Sequence, residues 1–183
     1  MKFPARPAAA ILAGLVVLCG CSAGGTPPTS EDTGIGAWPT FLPSPSAAGI
    51  ARGSVDSPAM SYSGSPVIVT TGDGEVRMDV AGPSYPSDTK VGADHVACTF
   101  TVTFSGASAA VSLKTARFDV LDHSGVVHTL TMLPGSSIPA TVSPGQSVVV
   151  KLQTTLPSGE GLLRFYPTGP AAAAGWDYVA ETD

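Results

Sequence analysis

The sequence predicts a two-sheet antiparallel β-sandwich over residues 64–183, and three observations predict it. From Gly64 onward the chain falls into short runs alternating apolar and polar residues, the period of a strand with one buried face. Turn-forming residues punctuate these runs at roughly the 8–12-residue spacing of sandwiches. No window carries the apolar stripe of an amphipathic helix.

Taken in order, "PVIVTT" and "EVRMDV" flank Asp73-Gly74, a dipeptide suited to a tight hairpin because both residues tolerate positive φ. "HVACTFTVTF" follows with Val96, Cys98, Phe100, Val102 and Phe104 on one face and Ala97, Thr99, Thr101 and Thr103 on the other. "ARFDVLD" and "VVHTLTML" flank His123-Ser124-Gly125, a second hairpin signal. "QSVVVKLQTTL" opens after Pro144-Gly145, and "GLLRFYP" and "WDYVAE" close the chain, which makes eight strands. The alternation assigns Val76, Met78, Val96, Cys98, Phe100, Val102, Phe118, Val120, Leu130, Val150, Leu152, Leu163 and Phe165 to the core. Cys98 therefore packs as a small hydrophobe.

Ahead of the sandwich, residues 21–63 are rich in Gly, Pro, Ser, Ala and Thr and show neither strand nor helix period. Such a segment buries too little apolar area to offset its ordering entropy, so it reads as a disordered tether. Within it, "IGAWPTFLP" (Ile35 to Pro43) is more apolar than a spacer requires, and docking on the domain or on a partner is one reading of it. Residues 1–20 carry Lys2 and Arg6, then the apolar run Ala8 to Leu18. Eleven residues reach about 17 Å as a helix, short of a ~30 Å hydrocarbon core. A basic start, a short apolar run and small residues after it make a secretory signal.

Leu18-Cys19-Gly20-Cys21 resembles the bacterial lipoprotein box, in which an aliphatic residue, a small residue and Gly or Ala precede a cysteine. The resemblance implies that Cys21 becomes a lipidated N-terminus, carrying palmitate-type acyl chains, and that Cys19 leaves with the signal peptide. The alternative is an ordinary signal peptide and a free secreted protein. Two or more acyl chains, at about 0.8 kcal/mol per buried CH₂, hold a protein stably. The expected location is the extracytoplasmic face of the cell membrane, with the lipid on Cys21 as the membrane contact.

Loss of residues 1–20 removes two cations and leaves seven Lys and Arg against fourteen Asp and Glu. The seven, Arg52, Arg77, Lys90, Lys114, Arg117, Lys151 and Arg164, stand singly, so the chain offers no basic patch for nucleic acid. Charged residues are 13% of the chain, about half the usual share, and Thr and Ser cover the outward faces instead.

The order of three features gives a family resemblance: a strand ending in Asp and a Gly turn (Phe118, Val120, Asp122, Gly125), a Pro144-Gly145 turn opening a strand, and a last strand with Trp176. Residues 64–183 resemble small immunoglobulin-like domains of bacterial exported proteins, among them the secreted immunogenic proteins of mycobacteria. The resemblance implies the immunoglobulin-like sandwich and export, and it transfers no catalytic residue. His128 departs from it, standing where such domains often have an aromatic. The Cys…Trp…Cys spacing of antibody domains is absent.

Asp122-His123-Ser124 has the residue types of a catalytic triad, but neighbours on a hairpin tip point in different directions. Ser87-Asp88-Thr89-Lys90 matches a Ser-x-x-Lys motif without the helix that motif requires. His123, His128 and Asp122 are the weak metal candidates, lacking the paired spacing of a built site. The expectation is a non-enzymatic, cofactor-free, lipid-anchored binding domain that meets an envelope protein or glycan through loops near Gly82–Val91 and Leu133–Gly145. The alternative is a carrier of a small apolar ligand or metal between the sheets, lined by Phe100, Phe104, Phe165 and Trp176.

Overall fold

The computed structural model describes residues 49–90 and 92–180. The expected signal peptide, Cys21 and the Ile35–Pro43 patch lie outside the described residues. Among the described residues run thirteen strands: β1 (Ala51–Gly53), β2 (Ala59–Tyr62), β3 (Val67–Thr70), β4 (Glu75–Ser84), β5 (His95–Ser105), β6 (Val111–Ser112), β7 (Arg117–Asp122), β8 (Val127–Thr129), β9 (Thr131–Met132), β10 (Thr141–Val142), β11 (Val148–Pro157), β12 (Gly159–Tyr166) and β13 (Ala174–Ala180).

They form an all-β sandwich. One sheet has the order β1-β3-β4-β5-β11-β9, the other β2-β13-β12-β7-β8, and β6 and β10 make a short ribbon. The core lies between the two large sheets. All thirteen residues that alternation assigns to it are buried. Aromatic rings join the sheets, with Phe100 against Tyr178 at 5.2 Å and Phe104 against Phe165 at 6.0 Å between centroids, both edge to face. Trp176, fully buried, donates its indole N–H to the Ser65 carbonyl at 3.0 Å.

The folded part begins earlier than the expected boundary at residue 64. β1 pairs in parallel with β3, and β2 pairs in parallel with β13, so residues 51–62 belong to the sandwich and not to a tether. Strands of three and four residues are too short to display a period, and here pairing partners supply the order that composition lacks.

The run "VVHTLTML", which reads as one strand, is two. β8 pairs with β7 in the five-stranded sheet, and after Leu130 the chain crosses so that β9 pairs with β11 in the six-stranded sheet. The crossing from β1 to β2 does the same at the opposite edge. The ladder of the first hairpin ends at Thr70↔Glu75. Thr71 closes the loop by donating its N–H and its hydroxyl to the Gly74 carbonyl at 2.8 and 3.0 Å, which sets Gly72 and Asp73 at the tip, one residue before the expected pair. The second hairpin is the expected three-residue type, with Gly125 at φ 85° and its N–H donated to the Asp122 carbonyl at 3.0 Å.

Candidate functional site

Two places gather polar groups in a way that bears on chemistry: the Asp122 hairpin and a groove on the outer face of the six-stranded sheet. Asp122 ends β7 and is buried. Its Oδ1 accepts from the Ser124 N–H at 2.9 Å, the Ser124 hydroxyl at 2.6 Å and the Val126 N–H at 2.9 Å. Its Oδ2 lies 2.7 Å from His128 Nε2. The Ser124 hydroxyl, His128 and the two backbone N–H groups hold the carboxyl well below the usual carboxylate range, against the opposing pull of burial.

This geometry removes the triad reading. The carboxylate stands between serine and histidine, so the serine proton faces a weakly basic carboxylate and not an imidazole. His123, adjacent in sequence, turns elsewhere: its ring flanks Gly159, where an added Cβ would come within 3.0 Å of Nδ1. Of the three metal candidates the structure joins Asp122 and His128, and among the described residues no three His, Cys, Asp or Glu side chains gather as a ligand set. Ser87 lies in a turn and Lys90 in irregular chain, with the Thr89 N–H donated to the Pro86 carbonyl at 3.1 Å, so the helix needed by a Ser-x-x-Lys motif is not formed.

The lowered carboxylate has a consequence in acid. Its stabilising contribution is fully present above the unfolded carboxylate pKa of about 4 and is lost as pH falls from there toward the lower folded value. Urea midpoints at pH 7 and pH 3 should therefore differ by less in Asp122→Asn than in the unsubstituted protein. Equal acid sensitivity in the two would show that Asp122 does not carry this effect.

The groove is built by β5, β11 and β9. Alternation turns Ala97, Thr99, Gln153 and Thr155 outward while Val96, Phe100, Leu152 and Leu156 are buried. β4 and β5 change register between Ala81 and Ser84, and Gly82 at φ 117° occupies a place where a Cβ would lie 2.7 Å from the Thr99 carbonyl. That bulge is followed by Pro86 at one wall. Leu133, whose N–H is donated to the Lys151 carbonyl at 2.9 Å, stands with Thr131 at the other. Both loops expected to carry a binding surface thus contribute a wall.

The open groove so formed has a volume of about 480 Å³. Among the described residues its lining holds no Asp, Glu, Lys, Arg or His. The Thr131 and Thr154 hydroxyls are engaged with the Gln153 and Thr129 carbonyls, both at 3.3 Å. The Thr99 and Thr155 hydroxyls and the Gln153 amide have no hydrogen-bond partner among the described residues. Cys98 also borders the groove, but its thiol is buried and desolvation pushes it up to about 11, which makes it a poor nucleophile. The aromatics named for an internal ligand, Phe100, Phe104, Phe165 and Trp176, are all fully buried, and the three phenylalanines pack edge to face on one another or on Tyr178.

The fold and the groove define an all-β sandwich with a neutral, hydroxyl- and amide-lined outer cleft. No family model matches the chain, and no curated protein matches it. Among solved structures it is similar to the crystal structure of a secreted protein from Mycobacterium tuberculosis, MPT63, with 14% identity over 66% of this chain and 98% of that one and a TM-score of 0.47.

Proposed function

We propose that this chain is a non-enzymatic, exported binding module, anchored outside the membrane through lipid on Cys21, whose outer groove holds a neutral, hydroxyl-rich ligand of the glycan class. The observation that carries the reading is the groove's set of uncommitted neutral groups, the Thr99 and Thr155 hydroxyls and the Gln153 amide, in a cleft without charged side chains. Such groups donate and accept at once, which suits vicinal hydroxyls, and they offer nothing to neutralise a charged ligand. The signal-like residues 1–20 and the Leu18–Cys21 pattern support export and anchoring.

Titration of neutral envelope oligosaccharides into the protein, followed by saturation-transfer NMR, tests the ligand. Binding should weaken about tenfold in Gln153→Ala, the effect of losing roughly 1.4 kcal/mol. Val149 is exposed on the same strand but stands outside the groove, and Val149→Ser serves as the neutral control. Absence of transfer to any neutral oligosaccharide would sink the glycan assignment. For the anchor, Cys21→Ser should move the protein from the membrane fraction to the medium while Cys19→Ser should not, and the reverse result would remove Cys21 from its role.

A further inference from the structure

The groove has two unlike ends. Its walls, Pro86 after β4 and Leu133 after β9, stand on either side of β5 and β11, so it runs along those two strands. Its floor is two rows of outward residues, Ala97 opposite Thr155 and Thr99 opposite Gln153. The next row in one direction is Thr101 opposite Lys151, about 6.6 Å further on, the step between outward residues of a strand. The next row the other way is His95 opposite Pro157, with Asp94 just before β5.

Within the strands of this sheet, Lys151 is the one cation without a carboxylate partner. Arg52 pairs with Glu75 at 2.7 Å and Arg77 with Asp79 at 2.8 Å, so the four charged residues of β1 and β4 cancel. β5 adds only His95, and β3, β9 and the chain from Leu133 to Ser147 carry no charged residue. The β4–β5 loop holds Asp88 and Lys90, of opposite sign, and Asp94. Lys151 is exposed and has no ion-pair partner among the described residues. Hydroxyls gather at the same end. That of Thr101 has no hydrogen-bond partner among the described residues, and that of Ser136 accepts the Lys151 backbone N–H at 2.7 Å, which leaves its own proton to donate.

We infer that the groove's ligand carries one acidic group, seated at the Lys151 end beside Thr101 and Ser136. This rests on the glycan reading of the groove and adds to it a charge and a direction. Neutral sugar lies between the walls, where no charged side chain meets it, and the acidic substituent lies just past them. An ammonium is a compact point charge that suits a single anion. Asp94 at the far end repels the same group, so the sugar chain is held in one polarity. A uronate carboxylate and a phosphodiester present the same single negative charge, and both belong to this class.

Titration of the chain lacking residues 1–21, which retains every described residue, tests this with three sets of probes. They are neutral hexose tetrasaccharides, their counterparts with one terminal hexuronic acid, and their counterparts with one terminal methyl phosphodiester. At low salt an acidic set should bind about fivefold tighter than the neutral one, the scale of one exposed ion pair. The advantage should fade at about 0.5 M salt. Lys151→Gln should abolish it and leave neutral binding unchanged, and Lys151→Glu should reverse it. Lys114→Gln, at an exposed position in the turn before β7 of the other sheet, should keep it. Whichever acidic set shows the advantage names the substituent. Equal binding of neutral and acidic probes would overturn the inference and leave the glycan reading standing, as would a preference that survives Lys151→Gln. Binding of none of the three sets would remove the glycan reading and the inference together.

Discussion

Trp176→Ala is expected to destabilise the fold by about 3–5 kcal/mol, the range for deleting a large buried aromatic. Trp176 is 0% accessible, lies within β13 and stands opposite Leu163 on β12. Its indole N–H also satisfies the Ser65 carbonyl just before β3. Truncation therefore opens a cavity and strips a carbonyl of its partner, and the second loss falls on a contact between the last strand and the early part of the sandwich. Single domains are stable by about 5–15 kcal/mol, so the variant should stand near the edge of folding at 25 °C. Urea unfolding followed by circular dichroism measures it. Trp176→Phe, which keeps most of the volume and loses the hydrogen bond, should cost less than half as much.

Gly53→Ala should cost about 3 kcal/mol, the upper end of overpacking. A Cβ at Gly53 would lie 2.6 Å from the Ala59 nitrogen and 2.8 Å from its Cβ, and closer still to the Ala173 carbonyl oxygen. Two of these obstacles are backbone atoms. The Ala59 N–H is bonded to the Ala173 carbonyl at 3.1 Å, so neither yields without breaking that bond. The same urea titration reads the effect. A Gly64→Ala comparison is less crowded, since nothing lies within 4 Å of that position, although its φ of 91° carries its own strain. A Gly53→Ala protein as stable as the original would mean that residues 51–62 are not docked in the sheets.

These two positions mark where the sequence is legible and where it is not. The thirteen core residues stand out because period-2 alternation is local: each residue's neighbours two positions away report its face. Gly53 does not, because β1 and β2 are defined by Val67–Val69 and by the distant Ala174–Asp177, and nothing within "ARG" or "AMSY" encodes those partners. The β8–β9 crossing is hidden for a related reason. Apolar residues keep their alternation through Leu130, and a change of sheet leaves the period intact.

The sites divide the same way. Asp122 before Ser124-Gly125 reads correctly as a turn former, and its bonds to Ser124 and Val126 are local. Its bond to His128 depends on the pairing of β7 with β8, whereas His123, adjacent in sequence, is the more obvious companion on the page. Thr99, Gln153 and Thr155 look like an ordinary solvated face until the pairing Thr99↔Gln153 and the walls at Pro86 and Leu133 enclose them. The two loops that supply Pro86 and Leu133 to the groove are nonetheless identifiable from composition, because turn residues without alternation mark connections between strands.

The parallel pairing of β2 with β13 has a mechanical consequence. β2 lies near the start of the folded part and β13 at its end, and both run in the same direction through four registered pairs, Ala59↔Ala174 to Tyr62↔Asp177. Tension that draws the two ends apart therefore slides these strands past one another, and their hydrogen bonds are loaded together along the strand axis instead of opening one at a time. Tension on the two ends of the folded part passes first through the three parallel pairs of β1 with β3 and then through this seam, and resistance rises with the number of bonds strained at once.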